Sequence, residues 1–240
     1  MASDDIQNTQ SIDKNTNNIS ESKAFDWWRR TVQYKTGISL SDQDKLQYEK
    51  DAQDRKQKRD CEACYEYRDW MLQYSPSVKF MLQQIKDISP NPNTPYINEN
   101  NIICEHCNEF KGGGFNSELG VLICQNRIYS KWQLEDIMTH ELVHAYDNLK
   151  FKVDWFNLRH HACSEIRASS LSGECRFANQ FFKGAMKNFK KGHQECVKRR
   201  AILSLTSNPQ CENKQRAEKV IDEVWESCFN DTRPFERIFR

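Results

Sequence analysis

The chain has 240 residues, enough for one substantial domain or two small ones. Apolar residues make up 38% and charged residues 29%, a polar balance in which 13 Phe, 8 Tyr and 6 Trp still supply a core. A net charge of +1 leaves no global field directed at nucleic acid or an anionic surface, and no stretch approaches the roughly 18 apolar residues of a membrane-spanning helix.

Residues 1–23 carry Asp4, Asp5, Asp13 and Glu21, no Arg and no apolar run. They read as a disordered polar tail, neither a secretory signal nor an Arg-rich presequence. Order is expected from about Phe25, with a short helix over Phe25–Tyr34 that stops at Gly37. Ser41 followed by Asp44 is a capping-box pattern that starts a second helix, and the charged stretch Asp42–Arg59 reads as its solvated surface. Cys61 and Cys64 then precede the aromatic cluster Tyr65, Tyr67, Trp70 and Tyr74. Ser75-Pro76 opens a further helix, with Val78, Met81, Leu82 and Ile85 at helical spacing.

Residues 89–100, with Pro90, Pro92 and Pro95, read as a loop. It separates an N-terminal helical segment, 24–88, from a catalytic part, 101–240, the two being expected to fold as one cooperative unit. Asn101–Cys104 and Gly120–Asn126 read as short strands. The run Gly112-Gly113-Gly114 between them lacks the Lys-Ser/Thr of a phosphate loop and reads as a flexible connection. Ser130 is placed to cap a helix over Lys131–Leu149, and helices are expected over about 158–171, 175–190, 194–205 and 213–228. The class expected is α+β, mostly helical, with a small sheet beside the helix of residues 131–149.

That helix contains His140-Glu141-Leu142-Val143-His144. Residues four apart share one helix face, so both imidazoles can reach a single zinc ion at about 2.0–2.1 Å. Glu141 lies beside such an ion as the general base that activates water for peptide hydrolysis. A catalytic zinc takes three protein ligands and leaves one position open. Glu165, in a later helix, is the preferred third ligand, an arrangement that resembles thermolysin-like zincins. His160, His161, Asp147 and Glu174 are rivals, with Asp147 better suited to orienting a histidine than to binding metal. The strand Gly120–Asn126 has two open readings, a core strand or an edge strand that pairs with extended substrate.

Ten cysteines suit either disulfides or zinc thiolates, and Cys61-x-x-Cys64 with Cys104-x-x-Cys107 is a conceivable Cys₄ site. Disulfides are preferred, because the even number is spread over the whole chain. No basic patch suits a nucleic-acid finger. Trp27, Trp28, Arg29 and Arg30 suggest a membrane contact, although packing of the Trp pair with exposed Arg is the simpler reading.

Five stretches carry a resemblance: Phe-Asp-Trp-Trp-Arg-Arg (25–30), Cys-Tyr-Glu-Tyr-Arg-Asp-Trp-Met (64–71), His-Glu-Leu-Val-His-Ala-Tyr-Asp (140–147), the run from His160 to Cys175, and Asp-Thr-Arg-Pro-Phe (231–235). Together they resemble a family of zincin-like metalloproteases of the mitochondrial inner membrane that also act as ATP synthase assembly factors, over roughly residues 25–240. The resemblance implies one zinc ion held by His140 and His144, with Glu141 as protease glutamate. It implies a peripheral location on the intermembrane-space side and import by oxidative folding, which would account for an acidic tail and many cysteines together. The implied substrate is the precursor of the mitochondrially encoded proton-channel subunit of ATP synthase, whose N-terminal propeptide is removed. An assembly role independent of Glu141 is implied too. A non-enzymatic assembly factor and a zinc-knuckle interaction module are the competing functions.

Overall fold

Three serine caps set the order of the helices. In a computed structural model of the chain, described over residues 23–38, 40–91, 96–176 and 192–236, Ser41 Oγ accepts from the Asp44 amide at 3.2 Å while Asp44 accepts from the Ser41 amide at 3.3 Å. This is the reciprocal pair expected of a capping box. Ser75 and Ser130 accept from the Val78 and Gln133 amides, each at 3.2 Å. They open the helices expected at Pro76 and Lys131. The tail and the helix expected over 175–190 fall almost wholly outside the described residues.

The chain divides into two compact units between Lys58 and Arg59. In the first, helical residues 23–36 (α1) pack on the start of α2 (Asp42–Tyr74), and Gly37 with φ +70° ends α1. Trp27 and Tyr34 stack on Tyr48 at 4.8 and 4.4 Å, and Arg30 pairs with Asp51 at 2.7 Å. The expected charged helix and aromatic cluster are one continuous 33-residue helix, α2.

The second unit holds the rest of α2, then α3 (Pro76–Ile88), β1 (Ile102–Glu105), β2 (Gly113–Asn116), β3 (Gly120–Cys124), α4 (Lys131–Phe151), α5 (Leu158–Leu171), α6 (Gly192–Leu205) and α7 (Lys214–Phe229). The class is α+β, as expected. The sheet order is β1-β3-β2, with β1 parallel and β2 antiparallel to β3. One cluster of buried side chains joins Met71, Met81, Ile85, Ile102, Ile123, Leu134, Met138 and Leu142. A second joins Ile166, Val197, Leu205, Val220 and Ile221 on α5, α6 and α7. Between them, every residue of α4 from Met138 to Asp147 is buried. A helix covered on all sides keeps polar residues only where they find partners.

The sheet departs from expectation in one respect. β3, read as either core or edge, is central, and the edge strand beside α4 is β2, which contains two of the three glycines read as a flexible connection. The reason is close approach. A Cβ built on Gly113 would stand 2.7 Å from the Leu122 carbonyl oxygen of β3, which cannot swing aside, and 3.1 Å from Ile137 Cγ2 of α4.

Four disulfides join Cys64–Cys104, Cys107–Cys124, Cys163–Cys228 and Cys175–Cys196, with Cys61 and Cys211 left as thiols. The disulfide reading therefore holds for eight of the ten cysteines. The Cys₄ reading fails, because three of its four sulfurs are tied up in S–S bonds.

Candidate metal centre

His140, Glu141 and His144 project from the buried middle of α4, and Glu165 from the middle of α5. Glu165 Oε2 lies 3.6 Å from His140 Nε2, and Glu165 Oε1 lies 3.4 Å from His144 Nε2. Among the described residues these three form the one cluster able to share an ion, their ligand atoms all lying within 4.8 Å of one another. The distances are long for hydrogen bonds. They fit something else: donors at about 2.1 Å from a tetrahedral zinc stand about 3.4 Å apart. Two imidazoles and a carboxylate are also the donor chemistry that zinc prefers. The residues present thus fit the ion by spacing and by kind.

The rival ligands fall into other places. His160 is exposed and accepts from the Asp154 amide at 3.2 Å. His161 flanks Glu165, with Nε2 3.3 Å from Oε1, and its Nδ1 meets Asn208 Nδ2 at 2.8 Å. Glu174 sits on the other side of His140, 3.2 Å from Nδ1, and its second oxygen pairs with Arg200 at 2.5 Å. The Cys175–Cys196 bridge fixes this turn to α6, the helix that carries Arg200. Asp147 reaches His144 only through Ser164. The Ser164 hydroxyl is 2.8 Å from His144 Nδ1 and donates to Asp147 Oδ2 at 3.0 Å. Asp147 in turn is held by Arg167 at 3.0 Å, both being 1% exposed.

Several of these partners carry no spacing signal in the sequence. Ser164, Arg167, Arg200 and Ser204, which donates to Glu165 Oε1 at 2.6 Å, come from helices brought together only by folding. Trp155 was missed too. Its ring stands edge-on to His144, 5.6 Å between centroids, with Phe115 of β2 at 6.0 Å. Its Nε1 donates to Asn148 Oδ1 at 3.0 Å, which fixes the ring against His144.

Burial sets up the electrostatics. It opposes charge on His140, but Glu174 and Glu165 outweigh it and hold the imidazole well above its ordinary pKa. Burial also opposes charge on Glu165, and the imidazoles of His144, His140 and His161 outweigh it, holding the carboxyl well below the usual range. In Glu174 burial is overcome by His140 and Arg200, and the carboxyl falls to about 2. Glu141 differs: burial raises its pKa, offset in part by His140 and His144. A carboxylate raised in this way is a better proton acceptor near neutral pH than an ordinary one.

Comparison with known proteins supplies the family. The model of the Peptidase M76 family matches residues 62–236. The chain is 53% identical to the mitochondrial inner membrane protease ATP23 of Saccharomyces cerevisiae (strain ATCC 204508 / S288c), over 93% of this chain and 100% of that protein. Identity to the proteins of the same name is 54% in Candida glabrata, over 91% of this chain and 99% of that one, and 58% in Kluyveromyces lactis, over 90% of each. No solved structure matches the chain. With the family model covering most of its length and relatives matched nearly end to end, the chain belongs to the peptidase M76 family.

Proposed function

We propose that the chain is a zinc metalloendopeptidase attached peripherally to the mitochondrial inner membrane on its intermembrane-space side. His140, His144 and Glu165 hold one zinc ion, and Glu141 is the general base. The observation that carries this reading is the spacing of Glu165 from the two imidazoles, 3.6 and 3.4 Å, with Glu141 on the same buried turn of α4. A bound zinc supplies a Lewis acid for the scissile carbonyl and lowers the pKa of water. Glu141 takes the proton of the attacking water and returns it to the leaving amine. Ser164 and Glu174 keep the two imidazole rings in register from behind. β2 offers the free side of an edge strand to an extended peptide, and its glycines let that peptide lie close to α4.

The substrate proposed is the N-terminal propeptide of the mitochondrially encoded proton-channel subunit of ATP synthase, whose assembly the chain also assists. Support comes from the sequence resemblance and from the relatives' location at the inner membrane, as their names state. Four disulfides suit import by an oxidative route. No helix of the described residues is long and apolar enough to cross a membrane, which suits peripheral attachment. Glu141→Gln keeps size and removes the base. The expected outcome is loss of precursor cleavage with zinc and subunit assembly retained. Cleavage by that variant would refute the catalytic assignment, and loss of assembly alongside cleavage would refute a separate assembly role.

A further inference from the structure

Helix α1 divides its aromatic residues between two faces. At about 3.6 residues per turn, Trp27, Arg30, Thr31 and Tyr34 share one face, and Phe25, Trp28, Arg29, Val32 and Lys35 share the opposite one. The first face is engaged with α2. Besides the Tyr48 stacking, Tyr34 donates to Glu49 at 2.6 Å, Tyr48 donates to Thr31 at 3.0 Å, and the Arg55 guanidinium lies over Trp27 at 4.2 Å. The sequence reading that packs both tryptophans together is therefore half right: Trp27 packs, and Trp28 does not.

Among the described residues nothing covers the apolar part of the outward face. Phe25 and Trp28 are each 61% exposed, and Val32 is 40% exposed. Among the described residues their rings stack only on each other, at 5.8 Å. Exposed Arg29 and Lys35 flank them on the same face. Arg29 meets Asp26 at 3.4 Å with both side chains 60% exposed, a contact too wet to neutralise it. Aromatic rings flush with a helix face and rimmed by cations match the boundary of an anionic bilayer, where rings sit at headgroup level and cations meet phosphate.

We infer that the Phe25, Trp28 and Val32 face of α1, with Arg29 and Lys35 beside it, is the surface by which the chain rests on an anionic phospholipid membrane. This deepens the peripheral placement proposed above by naming the face responsible. It gives a chain whose described residues hold no helix able to cross a membrane a way to stay at the surface on which the proposed substrate is embedded.

The test is flotation of the full chain with phosphatidylcholine vesicles, with and without an added anionic phospholipid, at low salt. The wild-type chain is expected to float with the anionic vesicles only. Phe25→Ser with Trp28→Ser should lower the partition by at least about tenfold, and Arg29→Glu or Lys35→Glu by roughly fivefold each. Trp28→Phe should float normally but lose the blue shift of tryptophan emission on binding. Zinc content and cleavage of a soluble peptide should stay unchanged in all these variants. If the wild-type chain floats and the Phe25→Ser, Trp28→Ser variant floats equally well, this face is wrong while peripheral attachment stands. If the wild-type chain does not float, both fall. A change of oligomeric state in that variant, with flotation intact, would assign the face to a second copy and overturn the inference.

Discussion

Gly113 of β2 lies directly against Glu141 of α4. A Cβ built on Gly113 would stand 3.4 Å from Glu141 Oε1, 3.1 Å from Ile137 Cγ2 and 2.7 Å from the Leu122 carbonyl oxygen. The backbone oxygen cannot swing aside as a side chain would. Gly113→Ala is therefore expected to push β2 away from β3 and α4, at a cost of about 1–3 kcal/mol, and to disturb the base. Gly114, with nothing within 4 Å of its Cβ, should accept alanine. Thermal melting and the cleavage rate of a propeptide substrate would check the pair. Equal tolerance at both positions would refute the close approach.

Ser164 bridges His144 Nδ1 and Asp147 Oδ2 at 2.8 and 3.0 Å. Removing its hydroxyl leaves the imidazole without the partner that sets its tautomer and ring angle. Ser164→Ala should weaken zinc binding by about 10–100-fold, as loss of such a partner does at other zinc sites. Competition with a chromophoric chelator measures this. An unchanged affinity would show that the serine only fills space.

Asp231 anchors the end of the described chain to α5, with Oδ1 2.8 Å from Arg167 and with Arg233 on its other side. Burial works against its charge, but Arg233 and Arg167 outweigh it and lower its pKa. A carboxyl lowered on folding adds stability above its unfolded pKa, and that stability is lost as pH falls through the folded value. Asp231→Asn should thus lower the thermal midpoint at neutral pH, and the gap to wild type should shrink below about pH 4. A gap as wide at pH 3 as at pH 7 would contradict the pairing.

The disulfides close loops of unequal length. Cys163–Cys228 spans 65 positions and Cys107–Cys124 spans 17. Chain entropy assigns about 4 kcal/mol to the first and about 3 kcal/mol to the second. Paired Cys→Ser substitution should follow that order in denaturant midpoint. The Cys175–Cys196 pair should in addition weaken zinc binding, because it holds the turn that carries Glu174 against His140. Zinc affinity unchanged after its removal would separate the bridge from the site.

What the sequence disclosed and what it withheld follow the range of the interactions. Ser41, Ser75 and Ser130 were legible as caps because a cap is settled within a few residues of itself. The His140–His144 pair was legible because helical spacing alone puts both rings on one face. Glu165 was one of several acids, and only the packing of α5 on α4 brings its oxygens to both imidazoles. Ser164, Ser204 and Arg200 bond across helices far apart in sequence, and no local pattern marks them. The glycines at 112–114 misled for a related reason. Glycine has a turn meaning that is local and a close-packing meaning that depends on what lies opposite, here Ile137 and Glu141. Trp27 and Trp28 were inseparable as neighbours until α1 found Tyr48.

The most direct measurement is anomalous diffraction at the zinc edge from crystals of the full chain grown with zinc. The expected result is a single peak bonded to His140 Nε2, His144 Nε2 and a Glu165 carboxylate oxygen, with Glu141 nearby and unbonded. A peak elsewhere, ligation by His161 or Glu174 in place of Glu165, or no peak in a well-ordered site would contradict the account.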